Sequence, residues 1–312
     1  MVAPVTVNPH QFPVSGQLFL DHAAWFVEEF EESGAALERL GFIVTPLRAH
    51  MSALRAGDSI VPLGTANRCV MLRSGFLEML GSVGDTPMAA QLRAQLARYP
   101  GLHLAAFSGH DAAAHHAALV EDGLDPLPIA TIRRNQATPD GEQAIGGSII
   151  RLAPTAWPEG RVQIVFPSMS PDALWHPALV QHANGADRLS ELLIVVEHPR
   201  ERAEAFARFT RRPVRQAGKR WVLDTDRGRV HLTVPAELPR HLPGVQPPAL
   251  PYIAAVAIGS TDLTSSRAWF RQQGVDHGVH RDTVQVGPAD ALGATLVFHD
   301  RVDDHVFDHL GT

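Results

Sequence analysis

The chain reads as an α+β protein assembled from four copies of a strand, helix and strands unit and divided into two lobes. Three observations predict this. Apolar runs of strand length alternate with helical stripes in an order that recurs four times along the sequence. Each copy closes on a short strand introduced by a glycine, at Gly75, Gly160, Gly228 and Gly293. The composition, 45% hydrophobic and 19% charged over 312 residues, is that of a packed globular chain rather than a disordered one.

The first copy opens on LFLDHAAWFV (18–27), a bounded apolar run that predicts a buried strand. In 28–42, Phe30, Ala35, Leu37 and Leu40 form a helical stripe that Gly41 can cap. Residues 43–63 read as short irregular pieces, and 67–81 as a hairpin turning at Ser74-Gly75. A further helix is expected over 86–101. The second copy has strands over 101–109, 146–154 and 161–168, a helix over 110–124, and a turn at Thr138-Pro139-Asp140-Gly141. The third has a strand over 190–199, a helix over 201–213 and strands over 220–225 and 229–235. A Pro-rich linker (243–251) leads to the fourth, with strands over 252–259, 282–288 and 293–300 and a helix over 261–274. The lobes are expected at 1–187 and 188–312, the second built from shorter, degenerate units.

Composition excludes several classes of function. The net charge is −6, from 27 Lys and Arg against 33 Asp and Glu, and the basic residues are scattered, which argues against a nucleic-acid partner. Apolar runs such as LLIVV (192–196) are too short to span a bilayer. A single cysteine, Cys69, allows no internal disulfide; together with a start lacking signal-peptide character, it predicts a cytoplasmic protein. No dinucleotide fingerprint, P-loop or nucleophile elbow is present.

Polar residues inside the apolar strands carry the functional signal. With first strands in register, His22, His103, Glu191 and Tyr252 share one early position. Counting three residues from the glycines brings Glu78, Gln163, His231 and Leu296 together. His22, Glu78, His103 and Gln163 thus form a donor set for a divalent metal, Zn, Fe, Mn or Ni, because imidazole and carboxylate ligate such ions and an amide carbonyl does so more weakly. Each also has an ordinary explanation, a core histidine or a solvent-facing glutamate on an alternating strand. The second lobe's set is poorer.

LDHAAWFV followed by LGF, then GTANRCVMLRSGFLEML and later QHANGA (181–186), resembles the glyoxalase-like branch of the vicinal oxygen chelate superfamily over about 18–200. The resemblance implies βαβββ modules paired into half-barrels around a divalent metal. It makes His22 and Glu78 the first module's ligands and His103 the second module's opening ligand, with Gln163 where a glutamate is usual. It implies a metal-dependent enzyme of lyase, isomerase or dioxygenase type acting on a small oxygenated molecule. Glu78 and His50 are then the candidate proton-transfer groups, and Trp25, Asn67, Phe76, Phe166 and His182 the candidate substrate pocket. The alternative is a non-catalytic protein that binds or sequesters a small molecule on the same concave sheet. Expected partners are a small-molecule substrate or ligand and, as a possible assembly, a homodimer.

Overall fold

A computed structural model of the chain describes residues 11–53, 58–138, 141–169, 171 and 174–310. Four βαβββ modules follow one another. The first consists of β1 (Phe19–Val27), α1 (Phe30–Arg39), β2 (Arg48–Ala53), β3 (Val61–Met71) and β4 (Phe76–Ser82). Helix α2 (Pro87–Leu96) leads to the second: β5 (Gly101–Ser108), α3 (Ala112–Glu121), β6 (Ala130–Thr138), β7 (Gly141–Ile150) and β8 (Arg161–Pro167). The third holds β9 (Ala186–Val195), α4 (Pro199–Thr210), β10 (Val214–Ala217), β11 (Arg220–Asp224) and β12 (Arg229–Thr233). A short helix, α5 (Leu238–His241), precedes the fourth, β13 (Tyr252–Ser260), α6 (Leu263–Gln272), β14 (His277–His280), β15 (Thr283–Val286) and β16 (Thr295–His299), and α7 (Val306–Leu310) ends the described chain.

In every module the first strand pairs in parallel with the last, as β1 does with β4 and β5 with β8. The first two modules join at both ends, through β1 with β5 and β2 with β6, so their eight strands close into a ring. The third and fourth join only through β9 and β13, and β10 and β14 remain edges. Closure of the first ring leaves an interior that one set of alternate residues must line.

The four glycines that open the last strands all take positive φ, between 74° and 140°. Each also lies where a side chain would strike a neighbour: a Cβ at Gly75 would sit 2.9 Å from Asp21 O, and one at Gly160 2.1 Å from His103 O. Only glycine satisfies both demands. Gly75 and Gly160 therefore lock the last strand of their module against its first, and Gly228 and Gly293 also pack against the first two modules, at Leu20 and Pro100.

One continuous apolar cluster, from Leu20, Leu37 and Leu77 to Phe206, Phe270 and Phe298, runs through all four modules. Several elements differ from the sequence expectation. Residues read as irregular contain β2 and the start of β3, so Gly64-Thr65-Ala66-Asn67 lies within a strand. β6, β10 and β14 also form where no strand was expected. They are completed by their neighbours' hydrogen bonds rather than by apolar alternation of their own. Of the turn expected at 138–141, Pro139 and Asp140 lie outside the described residues.

Candidate active site

The ring's interior holds a cavity of about 130 Å³ lined by His22, Asn67, Phe76, Glu78 and Gln163, and by His50, all on strands of the first two modules. Its end beneath α2 is plugged where Leu92 meets Leu80, Leu104 and Ala106. Trp175 and Leu174 close in from the other side with Phe76 and Cys69, so the lone thiol is a small buried core group.

His22 is fixed at one ring face and one ring edge. Its ring stacks on Phe76 with centroids 4.3 Å apart, and Nδ1 lies 2.7 Å from Asp21 Oδ2. Two consecutive strand residues normally point to opposite faces. Here the β1–β5 register slips between Leu20 and His22, leaving Asp21 as the extra residue of a bulge, and both side chains reach the same side. A carboxylate can only accept, so Asp21 holds the proton on Nδ1 and directs the Nε2 lone pair into the cavity. Nε2 stands 3.7 Å from Glu78 Oε2, beyond hydrogen-bonding distance. The other Glu78 oxygen, Oε1, accepts from Asn67 Nδ2 at 2.5 Å. His50 Nδ1 lies 3.0 Å from the Thr65 hydroxyl, which positions that imidazole in the cavity lining on β2 of the same module.

Four sequence expectations are corrected. His103 does not face the cavity: it is fully buried, donates from Nε2 to Tyr99 O at 2.8 Å and stacks between Tyr99 and Phe26. Burial pulls its pKa down to about 4. The residue corresponding to His22 is Leu104. His22 pairs with Phe76, two before Glu78, and Leu104 pairs with Arg161, two before Gln163. The expected register of β5 differs from the observed one by one residue, which on a strand exchanges faces. Trp25 and Phe166 lie on the outer face of the ring for the same reason of alternation; Trp25 donates to Ala291 O, and Phe166 packs against Gly109 and His115. His182 is a linker staple, accepting from Ile43 N and donating to Met71 O, and its burial takes its pKa to about 4. Asn184 plays a similar part, bonding Leu40 O and Ala186 N.

Of the charged lining residues, Asp21, Arg133, Arg151 and Arg161 lie outside the sequence expectation. Asp21 carried a signal, its position directly before His22. Arg151 and Arg161 carried little, because both open or close strands where arginine is commonplace. They are partly buried. Burial lowers the pKa of each; for Arg161, with a further push from Arg151 partly opposed by Glu78, it falls to about 9.

In the third and fourth modules, which do not close into a ring, the corresponding positions are filled in. By the register of β9 with β12, Glu191 and His231 take the places of His22 and Glu78, and they stand 3.2 Å apart, fully buried. Helix α7 covers them: Phe307 N donates to Glu191 Oε2 at 2.8 Å, and Phe307, Leu310 and Val306 pack on Leu193, Val195 and Val297.

The donor chemistry of the open cup can be set against a divalent metal. Among the described residues no group of three His, Cys, Asp or Glu could hold one. Two aimed donors, His22 Nε2 and Glu78 Oε2, share one space, and Gln163 from the facing half lines the same cavity. A set of imidazole, carboxylate and amide carbonyl fits a weakly held divalent cation with open positions.

A closed ring of two βαβββ modules around a polar cup, followed by a second pair, defines a protein of the vicinal oxygen chelate superfamily. The glyoxalase-like domain family matches residues 20–210, and the chain belongs to that family. No curated protein matches it by sequence. A hypothetical protein from Staphylococcus aureus has a similar structure at 8% identity and TM-score 0.63, covering 90% of this chain and 99% of its own. A xylose isomerase-like TIM barrel/4-hydroxyphenylpyruvate dioxygenase fusion protein matches at 12% identity and TM-score 0.54, over 93% of this chain and 50% of that one. A variant of 4-hydroxymandelate synthase from Streptomyces coelicolor matches at 14% identity and TM-score 0.49, over 90% and 92%. At these identities the likeness is one of fold.

Proposed function

We propose that the chain is a metal-dependent, glyoxalase-like enzyme acting on a small oxygenated organic molecule bound in the first ring, of lyase, isomerase or dioxygenase type. The observation that carries this reading is the aimed pair of His22 and Glu78, each oriented by its own partner, Asp21 and Asn67, toward common space. His22, Glu78 and the Gln163 carbonyl would hold the ion, which when bound supplies a Lewis acid for a developing oxyanion.

The chain's own residues do the rest. Asn67 restrains one Glu78 oxygen, so the other keeps a fixed direction. Phe76 and Trp175 give the cup an apolar wall that excludes water from the reacting end of a substrate. His50, held by Thr65 in the same lining, is the second candidate for moving a proton, imidazole being the commonest side chain in that role.

A second reading, a metal-free protein that binds a small molecule without turning it over, is favoured by one observation, the lack of a third His, Cys, Asp or Glu in any such cluster among the described residues. Reconstitution with Fe²⁺, Mn²⁺, Zn²⁺ or Ni²⁺, followed by assay of small hydroxy- and oxo-compounds for isomerisation and oxygen uptake, separates the two. The enzyme reading expects metal-dependent turnover that His50→Ala and Glu78→Gln each remove. Saturable ligand binding with no turnover under any of these ions would favour the binding protein.

A further inference from the structure

Arg161 follows Gly160 as Phe76 follows Gly75, so its side chain belongs to the cup-facing set with Gln163. Arg151 comes in beside it from the end of β7. Both arginines line the cup and also a separate, larger hollow of about 680 Å³ beside α2. Neither has a carboxylate within ion-pairing distance among the described residues, and the one side-chain acceptor they share is the sulfur of Met88. A guanidinium taken out of water without a counter-charge is costly, and a sulfur is a poor acceptor.

The second lobe provides an internal comparison. Arg229 follows Gly228 at the place equivalent to Arg161, and it has carboxylates at hand: Asp224 at 2.8 Å and Glu191 at 3.6 Å. Glu191 stands where Leu104 stands in the second module. In the plugged cup the arginine is thus neutralised by the chain. In the open cup the corresponding partner has become an apolar side chain, Glu78 acts on Arg161 only from beyond ion-pairing distance, and an anionic ligand would complete the pairing. The charged lining agrees in sign, with Arg133, Arg151 and Arg161 against Asp21 and Glu78.

We infer that the ligand of the first ring is a small organic carboxylate whose anionic group is held by Arg151 and Arg161, its body lying against Phe76 and Trp175. This rests on the reading of that ring as the substrate site and adds the substrate's chemical class. Guanidinium groups suit the task because their planar forks match the two oxygens of a carboxylate.

Benzoate and its uncharged isostere benzamide, titrated calorimetrically into the full chain after metal removal by EDTA, test the inference. Benzoate is expected to bind saturably and benzamide at least roughly tenfold more weakly, since ionic hydrogen bonds contribute most of the difference. Arg151→Gln and Arg161→Gln should each weaken benzoate roughly tenfold, while Arg93→Gln, on the outer surface of α2, serves as the charge control and should not. Because an uncompensated cation destabilises the empty protein, Arg161→Met should raise the melting temperature of the ligand-free chain while abolishing the upward shift that benzoate gives the parent. Equal binding of benzamide, no binding of benzoate, or benzoate binding unchanged in both arginine variants would overturn the assignment. Since the titration is metal-free, loss of metal dependence elsewhere would sink the enzyme reading and leave this result standing.

Discussion

Asp21 and His22, adjacent in sequence, meet side by side through Oδ2 and Nδ1 at 2.7 Å because β1 bulges at Asp21, between the paired residues Leu20 and His22. An oriented imidazole costs less to order around an ion than a rotating one. Asp21→Asn keeps the size but can present an N–H to Nδ1, favouring the wrong tautomer. It is expected to lower divalent-metal affinity by about 10- to 100-fold, the usual effect of losing such a partner. Competition against a chromophoric chelator measures this, and an unchanged affinity would remove Asp21 from the site.

Gln163 brings a neutral oxygen to the place where Glu78 brings a charged one. Gln163→Glu should therefore tighten metal binding by roughly tenfold or more, since carboxylate is the better ligand for a divalent cation. Arg161, two residues away on the same strand, makes the added charge tolerable. Weaker binding in the variant would show that Gln163 is not a ligand.

Much of this architecture was legible because glycines and apolar runs report backbone demands directly. The four glycines count correctly onto Glu78, Gln163, His231 and Leu296, for they hold positive φ beside a neighbouring chain that no Cβ could approach. First strands gave no such anchor. GLHLAAFS is apolar at almost every position and buried throughout, so periodicity could not say which face His103 occupies. His103 is the one imidazole or carboxylate in the run and so draws the ligand assignment, whereas Leu104, which holds the place, reads as core. Trp25 and Phe166 failed in the same way, since both faces of these strands are packed. Asp21 was hidden by a bulge, which changes strand parity without a signature in residue type.

His103 bears on acid stability. Its folded pKa, about 4, lies below the ordinary 6.5, so the unfolded chain takes up the proton first. The stabilisation is complete above the unfolded value and is lost as pH falls from about 6.5 toward 4, levelling off below; its full size is about 3 kcal/mol. Urea midpoints across that window should fall steeply in the parent and less so in His103→Gln. Identical slopes would mean that His103 does not titrate with unfolding.

Phe307 seals the second cup over Glu191 and His231. Phe307→Ala should cost about 3–5 kcal/mol, the range for removing a buried aromatic side chain, with little effect on ligand binding in the first ring. Denaturant melts and benzoate titration together check this. A stability loss below about 1 kcal/mol would show that α7 is not a structural plug.

The lobe boundary expected near residue 187 meets an apolar cluster that crosses it, with Phe107 against Phe206 and Phe42 against Phe298. A fragment ending at 187 would expose that surface and is expected to lack a cooperative unfolding transition. A sharp, reversible melt would establish the first lobe as an independent domain.

The central claim, a divalent-metal cup built on His22 and Glu78 rather than on His103, is tested most directly by metal stoichiometry. Untagged protein, reconstituted and desalted, is analysed for Fe, Mn, Zn and Ni beside His22→Ala, Glu78→Gln and His103→Ala. The account predicts one ion per chain in the parent and in His103→Ala, and none in the other two. A metal-free parent after every reconstitution, or loss of the ion on replacing His103 alone, would contradict it.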